Sequence, residues 1–262
     1  MKITNTILDQ IIEHKKGELE KRKKEFSIEI IKEKISQSNF FKSSFKESLK
    51  KNKIALIAEI KKVSPSMGLI KDDFDHKKIA KNYFDYGASA ISVLTDQKYF
   101  QGDIKFIGDI KKIVPLPVLR KDFIFDEYQI YESKANGADA ILLIASILTK
   151  DELKKLIEIA DSLDLDCLVE THSYTEIEIA IEAGAQIIGI NNRDLKTFNI
   201  DINNFLNLSR FIPDDKIIVC ESGIFSRPDV LKAKYANADA VLVGTSLMTC
   251  ENMENKMMEL IV

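Results

Sequence analysis

The chain has 262 residues, 45% of them hydrophobic and 30% charged, with a formal charge of −3, the make-up of an ordinary globular protein. A slightly acidic balance without a dominant basic face argues against a nucleic-acid partner. No apolar run approaches the roughly 20 residues needed to span a bilayer, and the N-terminus lacks the basic-then-apolar pattern of a signal peptide. The cysteines Cys167, Cys220 and Cys250 share no metal-ligand spacing, so the expectation is a reducing, cytoplasmic setting without a membrane partner.

Residues 1–46 come first. Ile7, Ile11, Ile12 and Leu19, then Phe40, Phe41 and Phe45, read as extra helices that cap the bottom of the domain or fold over its active face. Lys15, Lys16, Lys21, Arg22, Lys23 and Lys24 alternate with Glu18 and Glu20, and a mixed charge run of this kind reads as a solvated helix face. A first strand is predicted over 54–60 and a helix over 77–86. Then comes a unit that recurs about every 50 residues: Gly87-Ala88-Ser89-Ala90-Ile91, Gly137-Ala138-Asp139-Ala140-Ile141, Gly184-Ala185-Gln186-Ile187-Ile188 and Asn237-Ala238-Asp239-Ala240-Val241. Each opens with a Gly or Asn that suits a left-handed helix cap and continues as a short buried strand. Between these lie strands at 117–120, 166–170 and 216–221, and helices at 128–136, 150–162 and 173–183.

Eight strands separated by helices in one chain of this length predict a single (βα)8 barrel over residues 1–262, with residues 1–46 as its N-terminal helical extension. An open doubly wound sheet is the runner-up, but no Gly-rich fingerprint follows the first strand. Cys167 and Cys220 fall in strand-like runs and are expected to pack as small hydrophobes.

In such a barrel the chemistry sits at the C-terminal strand ends. Four of these ends carry charges that core packing would not select: Glu59 and Lys61 on one side of the first strand, Lys121 on the third, Glu170 on the fifth and Glu221 on the seventh. Gathered from neighbouring odd-numbered strands, they would shift one another's pKa values, which makes Lys121 and Glu170 the candidate acid and base. Loops after the seventh and eighth strands often hold phosphate, and here they carry Ser222-Gly223 and Gly244-Thr245. Each glycine lets the backbone approach an anion, and Ser64 after the first strand adds a hydroxyl. Asn191 ends the sixth strand. Arg193 follows it and is read either as a partner for an acid or as a structural salt bridge across the rim.

These same residues carry a resemblance. Ile57-Ala58-Glu59-Ile60-Lys61-Lys62 leading to Ser64-Pro65-Ser66, Leu119-Arg120-Lys121-Asp122-Phe123, Leu168-Val169-Glu170, Ile190-Asn191-Asn192-Arg193, Glu221-Ser222-Gly223 and Gly244-Thr245-Ser246 resemble the indole-3-glycerol-phosphate synthase family, in order and over nearly the whole chain. The resemblance implies ring closure, decarboxylation and dehydration of 1-(2-carboxyphenylamino)-1-deoxyribulose 5-phosphate in tryptophan biosynthesis, a carboxy-lyase reaction without metal or organic cofactor. It makes Lys121 the general acid, Lys61 the holder of the departing carboxylate and Glu59 the group that fixes Lys61. Glu170 becomes base or shuttle, oriented by Asn191, and Ser222 touches the sugar. Ser64, Gly223, Gly244 and Thr245 would cradle phosphate. Phe100, Phe123, Leu142 and Leu195 would form the aromatic slot, with Arg193, Glu221 and Leu242 also against substrate.

His172, two residues after Glu170, has no role in the resemblance and reads as a solvated rim residue. The nearest rival is another phosphate-binding barrel such as phosphoribosylanthranilate isomerase, which uses a Cys where this first strand has Glu59. A barrel that only binds a metabolite is the rival from another class. Any isomerase partner would be a separate chain, and the expected assembly is a monomer or at most a weak homodimer.

Overall fold

The computed structural model describes residues 1–50 and 53–262. Eight parallel strands close on themselves: β1 (Ala55–Ile60), β2 (Ala90–Leu94), β3 (Val118–Lys121), β4 (Ala140–Ile144), β5 (Asp166–Thr171), β6 (Ile187–Asn191), β7 (Ile217–Glu221) and β8 (Ala240–Val243). Each pairs with its neighbour in chain order, and β1 closes against β8 with Ala55 opposite Ala240. Helices return the chain between strands, among them His76–Asp85, Glu127–Ala135, Lys150–Ser162 and Tyr174–Glu182. This is the expected (βα)8 barrel, with strand and helix limits shifted by one residue at several ends. A short ribbon of Val63–Ser64 against Gly68–Leu69 follows β1. Among the described residues no helix is long and apolar enough to cross a membrane.

The strands are buried along nearly their whole length because both of their faces are covered. Side chains fill the barrel interior, and helices cover its outside. The recurring Gly and Asn do what the repeat implies: Gly87, Gly137, Gly184 and Asn237 all have positive φ, at 90°, 89°, 94° and 65°. A left-handed residue there ends the helix and turns the chain into the next strand. Cys167 and Cys220 are buried as expected.

The extension covers both ends of the barrel. Helix α1 (Ile7–Glu25) starts at an N-cap where the Thr6 hydroxyl accepts from the Leu8 amide. Its Ile7, Leu8 and Ile11 reach the cleft at the strands' C-terminal ends. Helix α2 (Ile28–Gln37) packs on the Glu127–Ala135 helix. The chain then reaches the opposite end, where the Ser43 and Lys46 amides donate to Asp139 and Asp166 at the starts of β4 and β5. Helix α3 (Phe45–Leu49) buries Phe45 and Leu49 there. Phe40 and Phe41 lie in the connection before α3 rather than in a helix, and Phe41 is exposed.

Another expectation fails. The basic run of α1 is not simply a solvated face. Lys15 is buried, with its ammonium 2.8 Å from Asp122 and 3.3 Å from Asp96. Arg22 reaches Glu132 at 2.8 Å, Glu132 lies 2.9 Å from Arg120, and Arg120 lies 3.0 Å from Asp122. Lys23 pairs with Asp126 at 2.8 Å. The extension is thus clamped to β3 by a chain of alternating charges. Burial would raise the Asp122 carboxyl, but Lys15 and Arg120 outweigh it and hold it far below its ordinary value.

Removing one member of a buried ion network leaves an uncompensated charge, which costs about 3–5 kcal/mol. Lys15→Met should therefore lower unfolding stability by about that much. Lys21→Ala, at an exposed position of the same helix, should stay within about 0.5 kcal/mol of wild type. Urea unfolding of both variants checks the contrast.

Candidate active site

The strand ends deliver the charged side chains to one place. Glu59 sits near the end of β1 and is buried; Lys61, two residues on, donates to its Oε1 at 2.7 Å. Lys121 ends β3, and its Nζ lies 3.3 Å from Glu170 Oε2 on β5 and 3.5 Å from Glu221 Oε2 on β7. Asn191 ends β6 in register with Glu221. Three carboxyls and two ammoniums therefore share one mouth, the carboxyls buried and the two lysine side chains no more than 15% exposed.

The electrostatics follow from that count. Burial disfavours the Lys121 ammonium, but Glu170, Glu221 and Glu59 outweigh it and keep the proton on far above the ordinary lysine value. Burial also pushes Glu59 up, and Lys61 with Lys121 brings it back below its ordinary value. Glu170 likewise ends low, because Lys121, His172 and the Asn191 amide overcome its burial. Glu221 is the acid left over. Burial and the like charges of Glu170 and Glu59 outweigh Lys121 and push it up to about 8, and neither of its oxygens has a hydrogen-bond partner in the protein. At neutral pH the site thus stores protons on both Lys121 and Glu221.

Two glycines make room for these acids. A Cβ at Gly244, just after β8, would run into the Glu59 carboxylate, and one at Gly189 on β6 would run into that of Glu221. By its place after the last strand, Gly244 is expected to let the backbone approach an anion. The structure adds a more direct need, because no side chain fits there while Glu59 holds its place.

The cluster forms the floor of an open cleft. A model of the family described as indole-3-glycerol phosphate synthase matches residues 8–260. The protein of that name from Thermoanaerobacter pseudethanolicus is 50% identical over 243 residues, 92% of each chain. The one from Endomicrobium trichonymphae is 49% identical over 259 residues, 97% of this chain and 99% of its own. This chain belongs to the indole-3-glycerol phosphate synthase family. Solved structures share the fold at low identity. A 3-hexulose-6-phosphate synthase superposes with a TM-score of 0.63 at 14% identity, over 79% of this chain and 98% of its own. Orotidine 5'-phosphate decarboxylase from Pyrococcus horikoshii gives 0.60 at 13%, over 78% and 95%.

For a synthase of this family the sequence-predicted set is well gathered. Glu59, Lys61, Ser64, Phe100, Lys121, Phe123, Leu142 and Glu170 all line the cleft, as do Asn191, Arg193, Leu195, Glu221, Ser222, Gly223, Leu242, Gly244 and Thr245. Phe100 and Phe123 stand 6.2 Å apart, tilted by 37°, as one aromatic wall. Ser222 and Gly223 are successive left-handed residues, with φ of 63° and 80°, and they turn the chain sharply at the end of β7.

Two residues behave differently from their sequence reading. Arg193 has no acid within ion-pair range among the described residues; it spans the rim to the Ser66 hydroxyl at 3.4 Å and the Phe198 carbonyl at 3.3 Å. His172 is not solvated. Its side chain is 15% exposed, with Nε2 3.5 Å from Glu170 Oε1 and Nδ1 3.3 Å from Glu176 Oε2. Of the two places expected for the first helix, α1 takes the one over the active face, where Ile7, Leu8 and Ile11 line the cleft with Lys15 behind them. Leu8, Ile11, Ile12, Lys15 and Leu19 share one helical stripe, so the spacing held a signal that the charge run obscured.

The raised Glu221 sets a pH dependence of stability. The folded state keeps this proton from the ordinary carboxyl value up to about 8, while the unfolded chain has lost it, so this contribution favours folding at low pH and fades as pH rises through that window. The Tm of wild type should fall between about pH 5 and about pH 9 more steeply than that of Glu221→Gln, which has no proton to lose. Calorimetry across this range decides it.

Proposed function

We propose that this chain converts 1-(2-carboxyphenylamino)-1-deoxyribulose 5-phosphate to indole-3-glycerol phosphate, carbon dioxide and water, a carboxy-lyase step of tryptophan biosynthesis. The observation that carries the reading is the Lys121 ammonium held between Glu170 and Glu221, in one cleft with the Lys61–Glu59 pair. In this reading the Lys121 ammonium donates to the ribulose carbonyl as the ring carbon attacks it. A preorganised cation stabilises the oxyanion at that moment without reorganising. Lys61, steadied by Glu59, holds the benzoate carboxylate until it departs as carbon dioxide.

Glu170 serves as base and proton shuttle in the dehydration, and the Asn191 amide orients it. Glu221, holding its proton at neutral pH, is a second acid within reach of Lys121. Ser222 contacts the sugar hydroxyls. Phosphate is held by Ser64, Gly223, Gly244 and Thr245, while Phe100, Phe123, Leu142, Leu195 and Leu242 pack on the aromatic ring. Arg193 lies at the rim on the substrate side. The buried acid at Glu59 speaks against the isomerase alternative, whose first strand needs a thiol.

Incubated with that phosphorylated substrate, the purified chain should produce fluorescent indole product. A chain that yields none at saturating substrate would overturn the assignment. Lys121→Ala should lower kcat by about 10²–10⁴, the usual worth of a general acid, with KM nearly unchanged. A change in KM alone would make Lys121 a binding group.

A further inference from the structure

The proposed reaction consumes a proton. The bond from ring carbon to carbonyl carbon forms, and the carbonyl oxygen takes one proton to become a hydroxyl. The bond to the carboxylate then breaks, its electron pair returns to the ring, and neutral carbon dioxide leaves. A second proton converts the departing hydroxyl to water, and one C–H beside the nitrogen gives a proton back. Two protons enter the substrate and one returns, so each turnover draws one net proton from solvent. Substrate fills the main cleft, and Ile7, Leu8 and Ile11 of α1 line that cleft with apolar surface.

A second cavity adjoins the first. Asn191, Arg193 and Leu195 line both and form the partition between them. Glu170 belongs to the main cleft, whereas His172 and Glu176 belong to the side cavity, together with Thr4 and Ser146. His172 bridges the partition, with Nε2 3.5 Å from Glu170 Oε1 and Nδ1 3.3 Å from Glu176 Oε2. The Glu176 carboxylate also accepts from the His172 amide at 2.7 Å, which fixes the ring's position. Nε2 is buried with no hydrogen-bond partner in the protein, and such contacts commonly tighten once substrate is bound.

We propose that His172 is a proton relay for the ring-closing site: the imidazolium Nε2–H passes its proton to Glu170, while Nδ1–H stays on the Glu176 carboxylate. The neutral ring keeps Nδ1–H and regains its Nε2 proton from solvent once product has left, and Glu170 passes the proton on to the Lys121 amine. This deepens the ring-closure reading and rests on it. The imidazole faces Glu170 from β5, Glu176 from the following helix and Glu221 from β7, while Arg193, Asp194, Lys196 and Asp201 line the same side cavity. Burial lowers the imidazolium, but the hydrogen bond to Glu176 and the charges of Glu170, Glu176 and Glu221 outweigh it and raise the ring above its ordinary value. These groups favour the charged ring from which the relay starts. His172 acts through Glu170 and is a positioning and proton-supplying residue, not one that touches substrate.

The test is His172→Gln, which keeps an amide donor near Glu170 but carries no proton through. Steady-state turnover should drop roughly tenfold or more with KM unchanged, and kcat should rise again with the concentration of imidazole buffer. Wild type should be insensitive to that buffer. A kcat within about twofold of wild type, or a loss that imidazole leaves unrestored, overturns the relay. If His172→Gln does not fold, Glu176→Gln tests the same route. Losing that carboxylate lowers the imidazolium pKa, so the alkaline limb of kcat should move to lower pH, and an unmoved limb overturns the proposal. A wild-type chain that makes no indole product would instead fail the ring-closure reading itself.

Discussion

Three carboxyls and two ammoniums confined to the mouth of one barrel govern much of the rest of this structure. In a water-poor site the charges must balance, and here they balance only if one acid keeps its proton. Glu59 and Glu170 take the cations, and Glu221 is left protonated up to about 8. In the reaction we propose, ring closure and dehydration would each draw on such a proton where substrate has displaced water. The neighbouring backbone is shaped to the same end, as Gly189 and Gly244 leave the space that the Glu221 and Glu59 carboxylates occupy.

The clamp around β3 belongs to the same problem. Lys121 must lie within ion-pair distance of two acids, so the strand that carries it has to be held. The residues on either side of it, Arg120 and Asp122, turn away from the cleft cluster into a buried network that extends through Glu132 and Lys15 to α1. Alternation along the strand separates the two directions: Lys121 goes to the cleft, and its neighbours go to the scaffold. By the same contacts α1 is fixed over the cleft, with its apolar stripe toward the aromatic wall. The extension and the strand therefore position each other, and the cleft draws its apolar lining from both.

Much of the fold was legible before any coordinates. The repeated Gly or Asn followed by a short apolar run marks each helix-to-strand junction by a local requirement, a left-handed backbone, and local requirements are written in sequence. The cleft residues were legible for a related reason. A charge closing a buried apolar strand has few structural excuses, and in a parallel barrel all such strand ends face one way. Arg193, His172 and Lys15 were harder to read. Each looks like an ordinary surface charge in its own stretch of chain, and two of them acquire their meaning from a partner far away in sequence: Ser66 for Arg193, and Asp122 for Lys15. The partner of His172 is only two residues away, yet the side cavity that gives the contact significance is assembled from the N-terminal segment, the β6 loop and the end of β4.

By itself, then, the sequence determined the eight-fold βα pattern, the strand-end charges and the family, because each follows from short-range periodicity or from motifs a few residues long. Only the tertiary structure decided how the charges are shared. Which acid keeps a proton depends on distances of a few ångströms between side chains brought from β1, β3, β5 and β7. Which lysine is solvated and which is buried depends on where α1 lands. Coulomb and desolvation energies change steeply over those distances, and no local pattern of residues encodes them.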